Sequence, residues 1–280
     1  MSLPIPKIKF EVPCKIVMTS DEYHAHPAVG SSSLKPMLRS PAHYWAQLNS
    51  KHEPTPAMEI GTAIHEAILD PNLFAANAVV MPKFEGTGSR AAKDQWLMAN
   101  AGKRVLKQDD YDMIQNILGT IAHNRMVSQL LSGGAAEESY FWQDPDTGIV
   151  CKCRPDYLRQ GHIIVDVKST VDASADGFPT QMARLKYHLS AAMYLDGVSA
   201  VLGQKFDQFL ILAIEKEQPY AMAVHLLDQG TIDAGRLLYK RALVKLKECR
   251  EAKHYPAYGE KIITSSLPAW AFPFEEIASE

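Results

Sequence analysis

Two aspartates and a lysine stand close together in RPDYLRQGHIIVDVKST, residues 154–170. Asp156 follows a proline, and Asp166 and Lys168 come further along the same stretch. On a strand, Asp166 and Lys168 are i and i+2, so both project from one face. A hairpin turning at Gln160-Gly161 brings Asp156 beside Asp166. Two carboxylates and a lysine on one buried face are costly unless a cation balances them. Mg²⁺ suits such a place, because it takes hard oxygen ligands and keeps several waters. A lysine beside it can orient or deprotonate a water whose pKa the ion lowers. The competing reading is a surface hairpin with an Asp–Lys cross-strand pair. Ile163, Ile164 and Val165 directly precede Asp166, and a fully exposed strand would not be so apolar.

These residues need a sheet to position them. The segment 137–170 alternates and carries two turn signals, Asp144-Pro-Asp-Thr-Gly148 and Arg159-Gln160-Gly161, which predicts a three-stranded antiparallel meander. Helical patterns precede it. Ser31 to Ser33 have helix-start chemistry, with Leu34, Met37 and Leu38 at helical spacing, and Pro41 begins a second turn or helix. Residues 56–70 predict a helix with Met58, Ile60, Ile64, Ile68 and Leu69 apolar, ended by Asp70-Pro71. A polar Gly/Ser loop in 82–104 leads into a helix, and 109–131 predict another, broken by Gly133-Gly134. After the meander come a helix near 179–202, two strands around Gln218-Pro219 and a long helix over about 228–252. The order implies an α/β fold, a central mixed sheet flanked by helices in a single domain over 21–280, preceded by an extended arm, 1–20, with Pro4, Pro6 and Pro13.

Composition narrows the partners. The 280 residues are 46% hydrophobic and 22% charged, ordinary globular values. A formal charge of -3 advertises no broad basic face, so a polyanion ligand would need a local basic surface or bound cations. Of the four cysteines, Cys151 and Cys153 are two apart, but no second pair completes a zinc or iron–sulfur set; they read as small, half-buried strand residues in a reducing compartment. No signal-type segment, long apolar run, repeat or low-complexity tract occurs, and the expected location is the cytoplasm with no membrane span.

RPDYL and IIVDVKST resemble the PD-(D/E)xK nuclease signature. More narrowly, the chain resembles the RecE, or exonuclease VIII, nuclease domain family, a RecB-like branch of that superfamily. YHAHPAVGSSSL, SPAHY, IGTAIHEAILDP, EESYFWQDPDTGIVCKCRPD, VDVKST, YHLSAAMYLDG and SLPAWA carry the likeness, from about residue 20 to 271. The resemblance implies that Asp156 and Asp166 ligate metal, with the Val167 carbonyl, and that Lys168 is the catalytic lysine. It implies a metal-binding role for His65, which on its pattern alone is a core or capping histidine between Ile64 and Ile68. Its neighbour Glu66 reads as a solvated charge. Glu137 matches an upstream acid that completes a second-metal shell, with Glu138 as the fallback. Ser190 replaces a glutamine frequent in related enzymes, which leaves His188, Ser190 and Tyr194 as DNA-contact candidates. Ser32 and Leu34 match a Ser-x-Leu pattern near the DNA end, where Lys35 and Arg39 would add charge for a 5′ phosphate; a solvated helix face is the alternative. The loop GTGSRAAKDQW is either a DNA-facing loop or a plain surface connection.

The activity implied is Mg²⁺-dependent 5′-to-3′ exodeoxyribonuclease action on linear duplex DNA, leaving 3′ single-stranded tails for phage or prophage recombination by annealing. Two ions per site are expected, with Mn²⁺ able to substitute. Partners implied are duplex DNA ends, a RecT-type annealing protein and further copies of the chain in a ring, a tetramer or trimer. The modest net charge fits a ring, in which only the bore need be basic. The alternatives are a structure-specific endonuclease or Cas4-like exonuclease on the same fold, and an inactive DNA-end-binding protein.

Overall fold

The computed structural model describes residues 11–50, 55–86, 88–259, 262–268 and 271. Its elements begin with β1 (Cys14–Ile16), α1 (Ser20–Ala25), the one-turn α2 (Ser31–Leu34) running into a 3-10 turn at Lys35–Leu38, α3 (Pro41–Asn49), α4 (Pro56–Leu69) and α5 (Pro71–Asn77). There follow β2 (Ala78–Val80), α6 (Ser89–Ala99), β3 (Arg104–Leu106), α7 (Gln108–His123) and α8 (Arg125–Leu130). The strand-rich part holds β4 (Gly134–Ala136), β5 (Ser139–Gln143), β6 (Val150–Cys153), β7 (Tyr157–Arg159) and β8 (Ile163–Thr170). The chain then forms α9 (Phe178–Arg184), α10 (Tyr187–Leu202), β9 (Gln208–Glu215), β10 (Met222–Leu226) and α11 (Gln229–Ala252).

The expected α/β architecture with a mixed sheet is present. The main sheet has the order β10-β9-β8-β7-β4, with β8 and β9 parallel and the other neighbours antiparallel. The meander is not a single three-stranded unit. Its middle strand divides at Arg154-Pro155-Asp156: β6 pairs with β5 in a second sheet, β1-β5-β6, while β7 pairs with β8 in the main one. Proline has no N–H to give a ladder and restricts the residue before it, so the strand changes sheets there.

Two expected helices also divide. The 109–131 pattern breaks at Asn124, whose side chain accepts the Val127 amide and starts α8. The 179–202 pattern breaks at Lys186, which adopts a left-handed backbone, φ 56°, directly before α10. The last helix begins where expected, with Asp228 accepting the Thr231 amide at 2.6 Å.

Strand alternation sorts the core around β8. Val165 and Val167 face the layer of α4 and α7, where Ile64, Ala67, Ile114 and Ile117 are buried. Ile164 faces the opposite layer, with Leu189 and Met193 of α10 and Leu243 of α11. Asp166 and Lys168 share the parity of Ile164, so they project toward α10. That helix packs closely on α11 at Gly235, where a Cβ would lie 2.0 Å from the His188 carbonyl oxygen. Gly235 is therefore required by close approach rather than by backbone conformation.

Of the expected N-terminal arm, residues 1–10 lie outside the described residues. Within 11–20, β1 pairs with β5, and Arg154 donates to the carbonyls of Met18 and Thr19. Cys151 and Cys153 are fully buried rather than half-buried, and burial pushes the Cys151 thiol up to about 12. No helix among the described residues is long and apolar enough to cross a membrane.

Candidate active site

The β7–β8 register sets Tyr157 opposite Val165. Asp156, one residue before β7, therefore falls beside Asp166. Its Oδ2 accepts the Val167 amide at 2.7 Å, which ties the carboxylate to the strand carrying the other two charges. Lys168 Nζ reaches Asp166 Oδ2 at 2.6 Å, the Val167 carbonyl at 3.0 Å and Asp156 Oδ2 at 3.8 Å. His65 enters from α4, its Nδ1 3.4 Å from Asp156 Oδ2. Hence His65 of α4, Asp156 just before β7, and Asp166 and Lys168 of β8 meet at one point.

The charges there are strongly interdependent. Burial works against ionisation of Asp156, but His65, Lys168 and the Val167 amide outweigh it and hold the carboxyl well below the usual range. Asp166 goes the other way: burial and the Asp156 charge push it up, more than Lys168 can offset. Burial would depress Lys168, yet the two carboxylates raise it above the usual lysine value. Among the described residues, no three His, Cys, Asp or Glu side chains form a ready-made metal cage. The oxygens instead converge on the lysine ammonium.

Glu137 and Glu138 diverge. The Glu137 amide donates to the Asp156 carbonyl at 3.2 Å, and desolvation together with Asp156 raises its carboxyl. Glu137 borders a recess of about 100 Å³ shared with Glu66 and Asp70. Glu138 is engaged elsewhere, with Lys15 at 3.0 Å and the Tyr140 hydroxyl at 2.7 Å. Glu66 is not the solvated charge its pattern suggests: Arg104 donates to it through Nε at 2.6 Å and Nη2 at 2.5 Å. The partner comes from β3, far along the chain, so helix periodicity could not reveal it.

The expected DNA-contact residues separate into groups. Lys35, half-buried, points into the centre: its ammonium lies 5.5 Å from the Tyr187 ring centroid, and Lys168 Nζ lies 5.6 Å from the same ring. Burial and the Lys168 charge pull the Lys35 ammonium down to about 8. Tyr187 thus touches the centre as well; its signal in the sequence is its place at the head of YHLSAAMYLDG, one of the stretches that carry the family likeness. Ser32 is exposed on α2, which is a single turn and presents few amides. Arg39 is exposed too, and its Nε donates to the Tyr258 hydroxyl at 2.8 Å. His188 and Ser190 are half-buried on the first turns of α10. Tyr194 lies deeper, with its ring against Phe209 and its phenol raised by burial. Within GTGSRAAKDQW, Thr87 lies outside the described residues and α6 buries no residue. Of the terminal SLPAWA, residues 269 and 270 lie outside them too.

Residues 30–266 match the model of a family described as "PDDEXK-like domain of unknown function (DUF3799)". No curated protein matches the chain. Among solved structures, a protein provisionally described as an exonuclease, from Eubacterium rectale, superposes with a TM-score of 0.62 at 13% identity, covering 90% of this chain and 97% of its own. A phage related exonuclease from Haemophilus somnus 129PT aligns over 84% of this chain and all of its own, at 14% identity and a TM-score of 0.36. At these identities the first likeness establishes the fold, and the second adds no argument.

Proposed function

Because the chain belongs to the PDDEXK-like domain family, we propose that it is a divalent-metal-dependent exodeoxyribonuclease that digests linear double-stranded DNA from the 5′ end and leaves 3′ single-stranded tails. The observation that carries this reading is the convergence of Asp166 Oδ2, the Val167 carbonyl and Asp156 Oδ2 on one cation, the ammonium of Lys168.

The donor chemistry fits a hard divalent ion. Two carboxylate oxygens and a backbone carbonyl are the oxygen types that Mg²⁺ takes, and Mn²⁺ accepts the same set together with an imidazole. Asp156, Asp166, the Val167 carbonyl and His65 would hold one ion, and Glu137 would serve a second from the side of its recess. When bound, such ions lower the pKa of water and neutralise charge on a phosphodiester. The chain's own residues do the rest. Asp156 stays anionic beside His65 and Lys168, its carboxylate oriented by the Val167 amide. Lys168, released from the carboxylates, is free to hydrogen-bond the attacking water or the phosphate and to stabilise the charge that builds in the transition state. Attack in line expels the 3′ oxygen, which takes up a proton.

We assign Ser32 of α2 and Arg39, which follows the 3-10 turn, to the 5′ phosphate, with His188, Ser190 and Tyr194 as further DNA contacts. The biological setting that fits is phage or prophage recombination, with a RecT-type annealing protein as partner and a trimeric or tetrameric ring enclosing the duplex.

End-labelled linear duplex and a covalently closed plasmid, each with Mg²⁺, test the reading. Loss of the 5′ label as mononucleotide, retention of the 3′ label on a strand that shortens from its 5′ end, and an uncut circle are expected. A nicked or linearised circle would make the protein an endonuclease, and inertness toward both would remove nuclease activity altogether.

A further inference from the structure

Lys35 and Lys168 lie far apart in sequence, yet both ammonium groups rest within cation–π range of one ring, Tyr187, at 5.5 and 5.6 Å. Their surroundings differ. Lys168 has two carboxylates within 4 Å. Lys35, among the described residues, has no carboxylate partner, although it feels the charges of both Lys168 and Asp166. A half-buried ammonium beside another cation, without a counter-ion, is unfavourable unless something anionic joins it. A purely structural lysine would be expected to extend its amine to water. Here the amine is turned inward, and an aromatic face holds it.

The local fold explains why the ring can do this. Tyr187 is the first residue of α10, and Lys186 before it takes a left-handed turn that ends the run from α9. Gly235 lets α11 press against the backbone at His188, which fixes the first turn of α10 in place. Lys35 comes from the 3-10 turn following α2, whose neighbours Leu34 and Met37 are fully buried. The ring and the second amine are therefore both mounted on packed backbone rather than on loose loops.

Resting on the nuclease reading, we propose that Lys35 is a second cation of the catalytic centre, contacting a non-bridging oxygen of the phosphodiester being cut, and that Tyr187 is the positioning residue that holds Lys35 and Lys168 at their working separation. This takes Lys35 away from the terminal 5′ phosphate and gives it to the scissile one. The charge it lacks in the free protein is the charge that a phosphodiester brings, and that charge grows in the transition state.

The test uses the full chain and single-turnover cleavage of linear duplex with Mg²⁺, on 5′-phosphorylated and 5′-hydroxyl substrates in parallel. Duplex affinity is measured separately with Ca²⁺ at fixed salt. Lys35→Gln is expected to slow cleavage about tenfold to a hundredfold, equally on both substrates, while duplex affinity changes by less than about threefold. Lys35→Arg should recover most of the rate. Tyr187→Phe, which keeps the ring, should stay near wild type, and Tyr187→Leu should show the same rate defect as Lys35→Gln. Melting temperature is recorded for each; should Tyr187→Leu lose its native transition, the comparison of Lys35→Gln with Lys35→Arg and of Tyr187→Phe with wild type decides. A Lys35→Gln rate within threefold of wild type, a defect confined to the 5′-phosphorylated substrate, or a Tyr187→Phe variant as slow as Lys35→Gln would each overturn the assignment. An inactive wild type would instead overturn the nuclease reading itself.

Discussion

The carboxylate of Asp156 accepts the Val167 amide at 2.7 Å, so the strand that carries Asp166 and Lys168 also fixes the third charged group. Position and charge are coupled through this bond. It orients Asp156 Oδ2 toward His65 and Lys168, and it helps keep that carboxyl ionised when burial alone would protonate it.

Asp166→Asn is expected to lower Mg²⁺-dependent cleavage by at least about a thousandfold, since it removes an obligatory oxygen from the ion site. The fold should survive, because burial and Asp156 already disfavour the Asp166 charge. Circular dichroism, melting temperature and a labelled-duplex assay check this. A variant that cleaves at near-wild-type rate would end the assignment.

Lys168→Met should leave duplex binding largely in place and slow cleavage by about a hundredfold to ten-thousandfold. A second effect follows from the ammonium's position on Asp166 Oδ2 and the Val167 carbonyl. Without it the two carboxylates repel unscreened, so the metal-free variant should melt lower than wild type. Divalent ions should then raise its melting temperature more than they raise that of wild type, since no ammonium competes for the same oxygens. Equal ion-induced shifts in the two proteins would separate the lysine from the ion site.

Acid should weaken the contact between the β5–β6 turn and α11. Asp144 is 1% exposed at its side chain and meets Lys240 at 2.5 Å and the Thr147 hydroxyl at 2.7 Å. Burial opposes its charge, yet these partners hold the folded-state pKa below its ordinary value. The stability it contributes is therefore complete above the unfolded carboxyl value of about 4 and is lost as pH falls through the lower folded value. Melting temperature between about pH 2 and 6 should fall less steeply in Asp144→Asn than in wild type, and the variant should be about 2 kcal/mol less stable near neutrality. Parallel pH profiles would contradict this.

Gly235→Ala would place a methyl 2.0 Å from the His188 carbonyl oxygen. Overpacking of this kind costs about 1–3 kcal/mol. Because His188 follows Tyr187 at the start of α10, forcing the helices apart should also reduce cleavage in the protein that remains folded. Chemical denaturation and a rate normalised to folded fraction measure the two effects.

The clustering of Asp156, Asp166 and Lys168 was readable because these residues are close in sequence. Asp166 and Lys168 are two apart on an apolar strand, and a Gly-containing turn returns that strand to Asp156. Strand parity then puts Asp166 and Lys168 on one face without reference to the rest of the chain. Glu66 shows where such reading ends: its helix position suggests solvent, but Arg104 of β3 arrives from a distant element. The meander failed for a local reason at Pro155, where the chain leaves one sheet for another. The division of the 179–202 helix at Lys186 carried no comparable signal, because a left-handed lysine is stabilised by its surroundings and not by its own preference.

What the amino-acid order settled unaided was the α/β class and the grouping of Asp156, Asp166 and Lys168, since strand and helix periods operate over a few residues, whereas His65 entered through the family resemblance. Tertiary structure alone decided which glutamate faces that centre, which face of α10 approaches it, and that Lys35 and Lys168 share the ring of Tyr187. Those outcomes depend on packing among α4, β8, α10 and the turn after α2, elements separated by long stretches of chain. No local preference of any one of them encodes the contact, which exists only when all are packed together.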